Sequence, residues 1–146
     1  MPQYLLFRAE EPSGDTELFS YDLDSGTLTK IDINGTDSSF PGGSSNANNR
    51  SDAVVLGEYA YFFADDGTGI GRELYRSDGT ADGTRLVADV NPGSAGSDVD
   101  TEPLVLIGDS IYFAARTTSP GGDDLGVEPH VFDEASGVSL LADIET

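Results

Sequence analysis

The stretch from Gly71 to Val90, GRELYRSDGTADGTRLVADV, constrains the fold most, because it is the clearest copy of a unit that recurs along the chain. It opens with an alternating run, residues 73–77, which has the period of a half-buried strand. A turn-rich segment, residues 78–84, follows, and its two glycines are free to adopt positive φ. Extended, β-branched character returns at residues 85–90. Two strands around a tight turn predict a hairpin.

Two further copies of this unit occur at a spacing of about 50–56 residues, which is in the range of propeller and solenoid repeats. Each copy is predicted to hold four short strands, and the first copy is expected to lack its opening strand because the chain starts too late to contain it. The matching segments are Tyr61–Ala64 with Tyr112–Ala115 and Leu6–Ala9, Glu73–Tyr75 with Glu128–His130 and Glu17–Phe19, and Leu86–Val90 with Leu140–Ile144 and Thr29–Ile33.

We therefore predict an all-β fold of about three four-stranded antiparallel propeller-type blades, forming a partial or oligomer-completed β-propeller. The chain is expected to be a single repeat domain, with blade one at 1–52, blade two at 53–102 and blade three at 103–146. The predicted strands are 4–9, 17–22, 27–33, 53–56, 59–64, 73–77, 85–90, 104–107, 110–115, 128–133 and 139–144. Between the first two blades, residues 34–52 are nearly all Ser, Asn, Gly and Asp, with Phe40-Pro41 as the apolar anchor.

The charge of the chain excludes some classes of partner. Among 146 residues, 27 are acidic and seven are basic, which gives a formal net charge of −20. Such a surface repels nucleic acid and anionic membranes, and it favours cations, basic partners or a salty medium. There is no Cys, so disulfides and thiolate metal sites are excluded. The N-terminus has neither the basic region of a signal peptide nor an apolar run long enough to span a membrane.

The middle copy resembles the ELWxxDGT repeat family of bacterial extracellular proteins. The resemblance rests on Glu73-Leu74-Tyr75, the DGT of residues 78–80, the GT of residues 83–84 and the PG-containing loop after Val90. Tyr75 stands where the family usually has Trp. The third copy keeps Glu128-Pro129 without the DGT segment, and the first copy is more distant. The resemblance implies propeller-like repeats in a secreted or surface protein, with no established chemistry, and an extracellular or cell-surface location.

Acidic residues collect in the loops that a meander would place at one end of the blades. Carboxylates on flexible loops suit Ca²⁺, a hard cation that takes six to eight oxygen ligands. The simpler interpretation is that these loops are acidic because the whole surface is acidic, since no DxDxDG spacing is present. The candidate metal ligands are Asp65, Asp66, Asp98, Asp100, Asp123 and Asp124.

The acidic residues that repeat in all three copies are interpreted as structural. Residues at equivalent positions suit hydrogen bonds to backbone N–H groups in turns, whereas a catalytic pair would be unique to one copy. His130, the only histidine, stands where the other copies have Tyr75 and Phe19, and it is predicted to be a packed aromatic rather than a base. The repeated acids are Glu17, Glu73 and Glu128; Asp22, Asp78 and Asp133; and Asp32, Asp89 and Asp143.

These patterns favour a non-catalytic structural or interaction module of an extracellular or surface assembly. No cofactor is required, and Ca²⁺ is the one ligand ion that the acidic loops suggest. The expected partners are a second copy of the chain, in a dimer or filament, or other repeats of a longer chain. The alternatives are a glycan-, ligand- or calcium-binding propeller module, with Tyr59, Tyr61 and Tyr112 as candidate contacts, and a glycosidase or lyase that uses a carboxylate pair.

Overall fold

The computed structural model describes residues 3–35, 37–39, 41, 53–97 and 103–144, and this part of the chain contains eleven β-strands and no helix. All eleven predicted strands are confirmed. Phe40, Asp98 and Asp100 lie outside the described residues. The strands are β1 (Tyr4–Glu10), β2 (Thr16–Asp22), β3 (Leu28–Ile31), β4 (Val54–Leu56), β5 (Tyr59–Asp65), β6 (Arg72–Ser77), β7 (Arg85–Ala88), β8 (Val105–Ile107), β9 (Ser110–Thr118), β10 (Asp124–Asp133) and β11 (Gly137–Leu140).

The strands form three antiparallel meanders in chain order. Sheet 1 is β1-β2-β3, sheet 2 is β4-β5-β6-β7, and sheet 3 is β8-β9-β10-β11. The all-β class and the three successive antiparallel sheets are confirmed, as is the three-stranded first sheet. In sheet 3 the β9–β10 hairpin is longer than predicted, because pairing continues through a bulge between Asp124 and Gly126 as far as Thr118.

The register of the three sheets shows that they are true structural repeats. Ala9 lies opposite Glu17 in sheet 1, and Ala64 lies opposite Glu73 in sheet 2. In sheet 3, Ala115 lies opposite Glu128. The equivalences that the sequence copies predict are therefore reproduced in the pairing of β1 with β2, β5 with β6 and β9 with β10.

Sheet 2 lies between the other two sheets and is buried on both faces. Side chains alternate between the faces of a strand, so neighbouring residues of β5 point in opposite directions. Tyr61 and Phe63 pack with the core of sheet 3, whereas Phe62 and Ala64 pack against Leu18 and Ile31 of sheet 1. This arrangement explains the uninterrupted apolar run in β5, because a strand covered on both sides has no solvent-facing residues.

An aromatic pair recurs at one position of each sheet. Phe62 lies opposite Tyr75 in sheet 2, and Phe113 lies opposite His130 in sheet 3; all four residues are buried. The equivalent pair in sheet 1 is Phe7 with Phe19, whose rings stack at a centroid distance of 5.9 Å. Both of these rings are only half-buried. The face of sheet 1 that points away from sheet 2 is thus an apolar face of the kind that the two inner junctions cover.

The described part of the chain holds no helix with the length and apolar character needed to cross a membrane.

At the junction of sheets 2 and 3, two glycine backbones pass close to each other. Gly71 has φ of 81°, and a Cβ atom built on it would lie 2.5 Å from the backbone nitrogen of Gly96. Gly57, in the β4–β5 turn, has a similar φ of 62° but no neighbouring atom within 4 Å of such a Cβ. Substitutions at Gly71 and at Gly57 therefore separate the cost of a positive φ from the cost of a close contact with backbone.

We expect Gly71→Ala to lower the free energy of unfolding by about 2–4 kcal/mol, because it adds a steric clash with backbone to the cost of positive φ. Gly57→Ala carries only the conformational cost, about 1 kcal/mol. Chemical denaturation of both variants measures the difference. Equal losses for the two variants would show that the Gly71–Gly96 approach does not constrain the junction.

Candidate functional site

The most elaborate polar arrangement in the molecule links neighbouring sheets through a buried glutamate and a buried serine. Glu17 is 1% exposed, and its carboxylate accepts hydrogen bonds from the Ser39 hydroxyl and, at 3.2 Å, from the Ser39 amide. The Ser39 amide also donates to the Thr16 carbonyl at 3.1 Å, and the Ser39 carbonyl accepts from Asp65 N at 2.9 Å. Ser39 therefore joins the start of β2 in sheet 1 to the end of β5 in sheet 2.

The same linkage recurs between sheets 2 and 3. The Ser97 amide donates to the Arg72 carbonyl at 3.0 Å, and the Ser97 carbonyl accepts from Arg116 N at 2.9 Å. The Ser97 hydroxyl also donates to the Arg72 carbonyl, at 3.3 Å. Ser39 and Ser97 are both fully buried. They are the functionally informative residues that sequence reasoning missed, since each lies in an irregular loop among many similar serines.

Each repeated glutamate also captures the chain just after the last strand of its sheet. Ile33 N donates to Glu17 at 3.4 Å, Val90 N to Glu73 at 2.7 Å and Ile144 N to Glu128 at 2.7 Å. This explains a systematic difference from the predicted boundaries: β3, β7 and β11 end before these residues, because their amides bond to a carboxylate instead of a neighbouring strand. The predicted role of the three glutamates as backbone acceptors is confirmed.

Burial shifts the titration of two of these glutamates, Glu73 and Glu17. It raises the pKa of Glu73 to about 7, while the Ser97 hydroxyl and the amides of Val90 and Asn91 oppose the rise. Oε2 of Glu73 accepts the Val90 amide, and the buried Oε1 has no partner with good hydrogen-bond geometry. Burial likewise raises the pKa of Glu17.

The turn aspartates have the second predicted structural role. Asp22 accepts the amides of Asp24 and Ser25. Asp78 accepts the amide and hydroxyl of Thr80, and Asp133 accepts the amides that follow it in the last hairpin. This role is confirmed in all three sheets, where the carboxylates close the turn before the last strand of each sheet. For Asp32, Asp89 and Asp143 the structural role stays a prediction.

Four of the six candidate metal ligands, Asp65, Asp66, Asp123 and Asp124, lie at the loops between the second and third strands of sheets 2 and 3. Asp65 accepts Gly67 N at 2.8 Å, and Asp124 accepts Gly126 N at 2.9 Å, so these oxygens stabilise their own loops. Asp123 lies in the turn just before β10. Within the described ranges, no three His, Cys, Asp or Glu side chains are grouped so as to hold a metal ion. Calcium binding by these loops stays a prediction.

Asp66 belongs to a cleft of about 270 Å³ between β3 of sheet 1 and the β6–β7 hairpin of sheet 2. Its Oδ2 accepts the Tyr75 hydroxyl at 2.6 Å. Burial would raise the pKa of Asp66, but the hydrogen bonds from Thr68 and Tyr75 outweigh this effect and lower it. Burial, together with Asp66, raises the pKa of Tyr75, so its hydroxyl is a donor and not a base at neutral pH.

His130 has the surroundings of a packed aromatic residue. It is 3% exposed, and its ring stacks on Phe113 at a centroid distance of 5.6 Å. Burial lowers its pKa, so the ring is neutral, and Nδ1 donates to the Glu128 carbonyl at 2.8 Å. The prediction of a packed aromatic is confirmed. Of the candidate ligand-binding tyrosines, Tyr61 is fully buried and Tyr59 lies under the Arg76 guanidinium, at 4.0 Å.

Comparison with protein-family models, with curated proteins and with solved structures gives no match. The resemblance to the ELWxxDGT repeats therefore stays a prediction that rests on the residues of the middle copy.

We expect the stability of the fold to fall as the pH rises from about 5 to 8, because the folded chain binds the Glu73 proton more tightly than the unfolded chain does. The ordinary pKa is 4.5 and the folded pKa about 7, so this stabilisation is complete below 4.5 and is lost as the pH rises through 7. Glu73→Gln mimics the protonated acid. It is expected to be more stable than the wild type at pH 8 by roughly 2–3 kcal/mol, and to flatten the decline.

Glu58→Gln removes the same charge at an exposed turn and is the matched control. Denaturant titrations at several pH values measure all three proteins. If Glu73→Gln and Glu58→Gln gave the same pH profile, the decline would come from general charge repulsion and not from the buried carboxyl.

Replacing His130 tests whether it acts by packing. We expect His130→Phe to cost less than about 1.5 kcal/mol, because Phe restores the aromatic residue that sheet 1 carries as Phe19. His130→Ala leaves a cavity and is expected to cost about 3 kcal/mol. Thermal denaturation compares the two variants. A phenylalanine variant as unstable as the alanine variant would contradict a packing role.

Proposed function

We propose that this chain is a non-catalytic structural or interaction module of an extracellular or cell-surface assembly, built from propeller-like repeats that stack on one another. The observation that carries the proposal is the outer face of sheet 1. At each inner junction an aromatic pair of one sheet is buried by the preceding sheet, whereas the equivalent Phe7–Phe19 pair is half-buried. A further sheet of the same kind is the natural cover for such a face.

The opposite end of the stack supports the same proposal. Tyr112 and Ala114 in β9 are the counterparts of Tyr61 and Phe63, which sheet 2 buries against sheet 3. In sheet 3 these positions, together with Val131 of β10, are half-buried. The outer face of sheet 3 is therefore the counterpart of the face of sheet 2 that packs on sheet 3. The outer face of one chain could accept the outer face of sheet 1 of a second chain in the same way. A head-to-tail contact between such surfaces produces a ring if the rotation closes and a filament if it does not.

The titratable groups favour a scaffold over an enzyme. The buried glutamates bind backbone and serine groups at sheet junctions, and the single histidine is packed in a core. Each of these positions recurs in the other sheets, whereas a catalytic set needs a nucleophile and a base brought together at one site.

An acidic surface without cysteine is compatible with an extracellular location, which the resemblance of the middle copy also favours. The alternative function is a module that binds a glycan, another ligand or calcium.

We expect the chain to be a dimer or polymer at micromolar concentration, with a mass that is a multiple of 15.3 kDa in size-exclusion chromatography with light scattering. The measurement is made at about 0.5 M salt, because the net charge of −20 opposes association at low ionic strength. Phe19→Lys places a charge in the outer aromatic pair and is expected to give a monomer.

Val55→Lys is the control, since Val55 is 64% exposed on β4 and belongs to neither outer face. This variant is expected to associate like the wild type, and circular dichroism checks that both variants fold. A wild-type chain that stays a well-folded monomer under these conditions would contradict the proposed self-association.

A further inference from the structure

The outer edge of β1 differs from the equivalent edges of the other two sheets. In sheet 2 the counterpart strand β5 pairs with β4, and in sheet 3 the counterpart strand β9 pairs with β8. Among the described residues, β1 pairs with β2 alone. Within the ranges that the structure describes, the outer edge of β1 is therefore an unpaired row of backbone amides and carbonyls, which is a template for another strand.

In sheets 2 and 3, two groups form hydrogen bonds with the backbone of this edge, and they come in the same order along the chain. The first is the carbonyl of a buried serine, which accepts the amide at the end of the second strand: Ser39 with Asp65 N, and Ser97 with Arg116 N. The second is a three-residue apolar strand, with Val54 opposite Tyr61 in one sheet and Val105 opposite Tyr112 in the other. The same edge is thus covered in two sheets by the same arrangement, a serine carbonyl followed along the chain by a short apolar strand.

The register of the sheets identifies the residues of β1 that correspond to the hydrogen-bonded residues of β5 and β9. Glu10 lies opposite Thr16 as Asp65 lies opposite Arg72, so Glu10 is the counterpart of the residue that donates to the serine carbonyl. Backbone amides alternate between the two edges of an antiparallel strand, so the Leu6 amide faces the same edge as the Glu10 amide. Leu6 is the counterpart of Tyr61 and Tyr112, against which the short strands pair.

Burial along the strand agrees with a missing neighbour. Tyr61, Phe62 and Ala64 of β5 are all buried, and so are Ile111, Phe113 and Ala115 of β9. No residue of β1 is buried, and Leu5 is 54% exposed. An additional strand along this edge would cover part of the surface that β1 exposes.

We propose that the outer edge of β1 is a binding site for an extended segment of a partner polypeptide, made of a serine followed by a short apolar strand. The serine carbonyl accepts the Glu10 amide, and the strand pairs in antiparallel orientation with residues 4–6. Recognition is by strand addition, in which main-chain hydrogen bonds give affinity and alternate side chains give specificity. The inference rests on the proposed function, because it names the chemistry of one partner of the interaction module.

The experiment adds a synthetic peptide with the sequence of residues 97–107, SDVDTEPLVLI, to the full 146-residue chain. Binding is followed by NMR, through the shifts and the hydrogen exchange of the backbone amides of β1. We expect the peptide to bind and to slow the exchange of the Leu6 amide. The same peptide with V105P is expected to bind at least tenfold more weakly. Proline lacks the backbone amide that pairs with the edge, and its fixed φ restricts the extended backbone at that residue.

A matched pair of protein variants tests the position of the site. Leu6→Ala and Leu6→Pro both remove the leucine side chain, but only proline removes the outward amide, and an edge strand tolerates proline at such a position. We expect Leu6→Ala to bind the peptide and Leu6→Pro to bind it at least tenfold more weakly. If Leu6→Pro fails to fold by circular dichroism, the exchange of the Leu6 amide in the wild type decides the question.

Absence of binding at millimolar peptide, equal binding of the two leucine variants, or unchanged exchange of the Leu6 amide would each overturn the inference. None of these outcomes bears on the Phe19-dependent association, so self-association without peptide binding would leave the proposed function standing. Peptide binding by a chain that stays monomeric would support the edge site and contradict the self-association.

Discussion

Two apolar cores hold the sheets together, and the hydrogen bonds of two buried serines fix how each sheet is placed on the next. Glycine-rich and serine-rich connections have little apolar surface, so they cannot fix the relative position of two sheets by packing. Ser39 and Ser97 fix it through backbone bonds on both sides, to the sheet before and to the sheet after. At the first junction the buried carboxylate of Glu17 binds the serine directly. A buried carboxyl without partners would be costly, and here its partners are the backbone groups that set the geometry.

Most of the architecture could be predicted from the sequence because every copy has short runs of β-branched and aromatic residues that are bounded by turn residues. The copies also align the three sheets correctly, because the sequence segments that contain Ala64 and Glu73 match those that contain Ala115 and Glu128. The ends of β3, β7 and β11 were predicted too far along the chain. Apolar character continues to Ile33, Val90 and Ile144, but hydrophobicity does not reveal that an amide bonds to a carboxylate instead of a strand.

The junction serines and the Tyr75–Asp66 contact could not be predicted, for a different reason. Ser39 has the same local composition as its neighbours, and its selection depends on where two sheets meet. Asp66 is predicted as a metal ligand from its place in an acidic loop, and no pattern in the sequence indicates that it also accepts a hydrogen bond from Tyr75. Periodicity identifies which residues share a face, but contacts between sheets depend on how the faces are placed. The role of His130 was predictable because two other copies defined its position.

The burial of sheet 2 on both faces has a consequence for how the molecule loses its structure. Sheet 2 is held by two junctions, whereas sheets 1 and 3 each have one described junction. Removal of an outer sheet exposes one face of sheet 2, but removal of sheet 2 would separate the other two entirely. Opening is therefore cheapest at the two ends and most costly in β5 and β6. The outer sheets should therefore open before sheet 2 does. Any neighbour that covers an outer face should extend the region that is protected from opening.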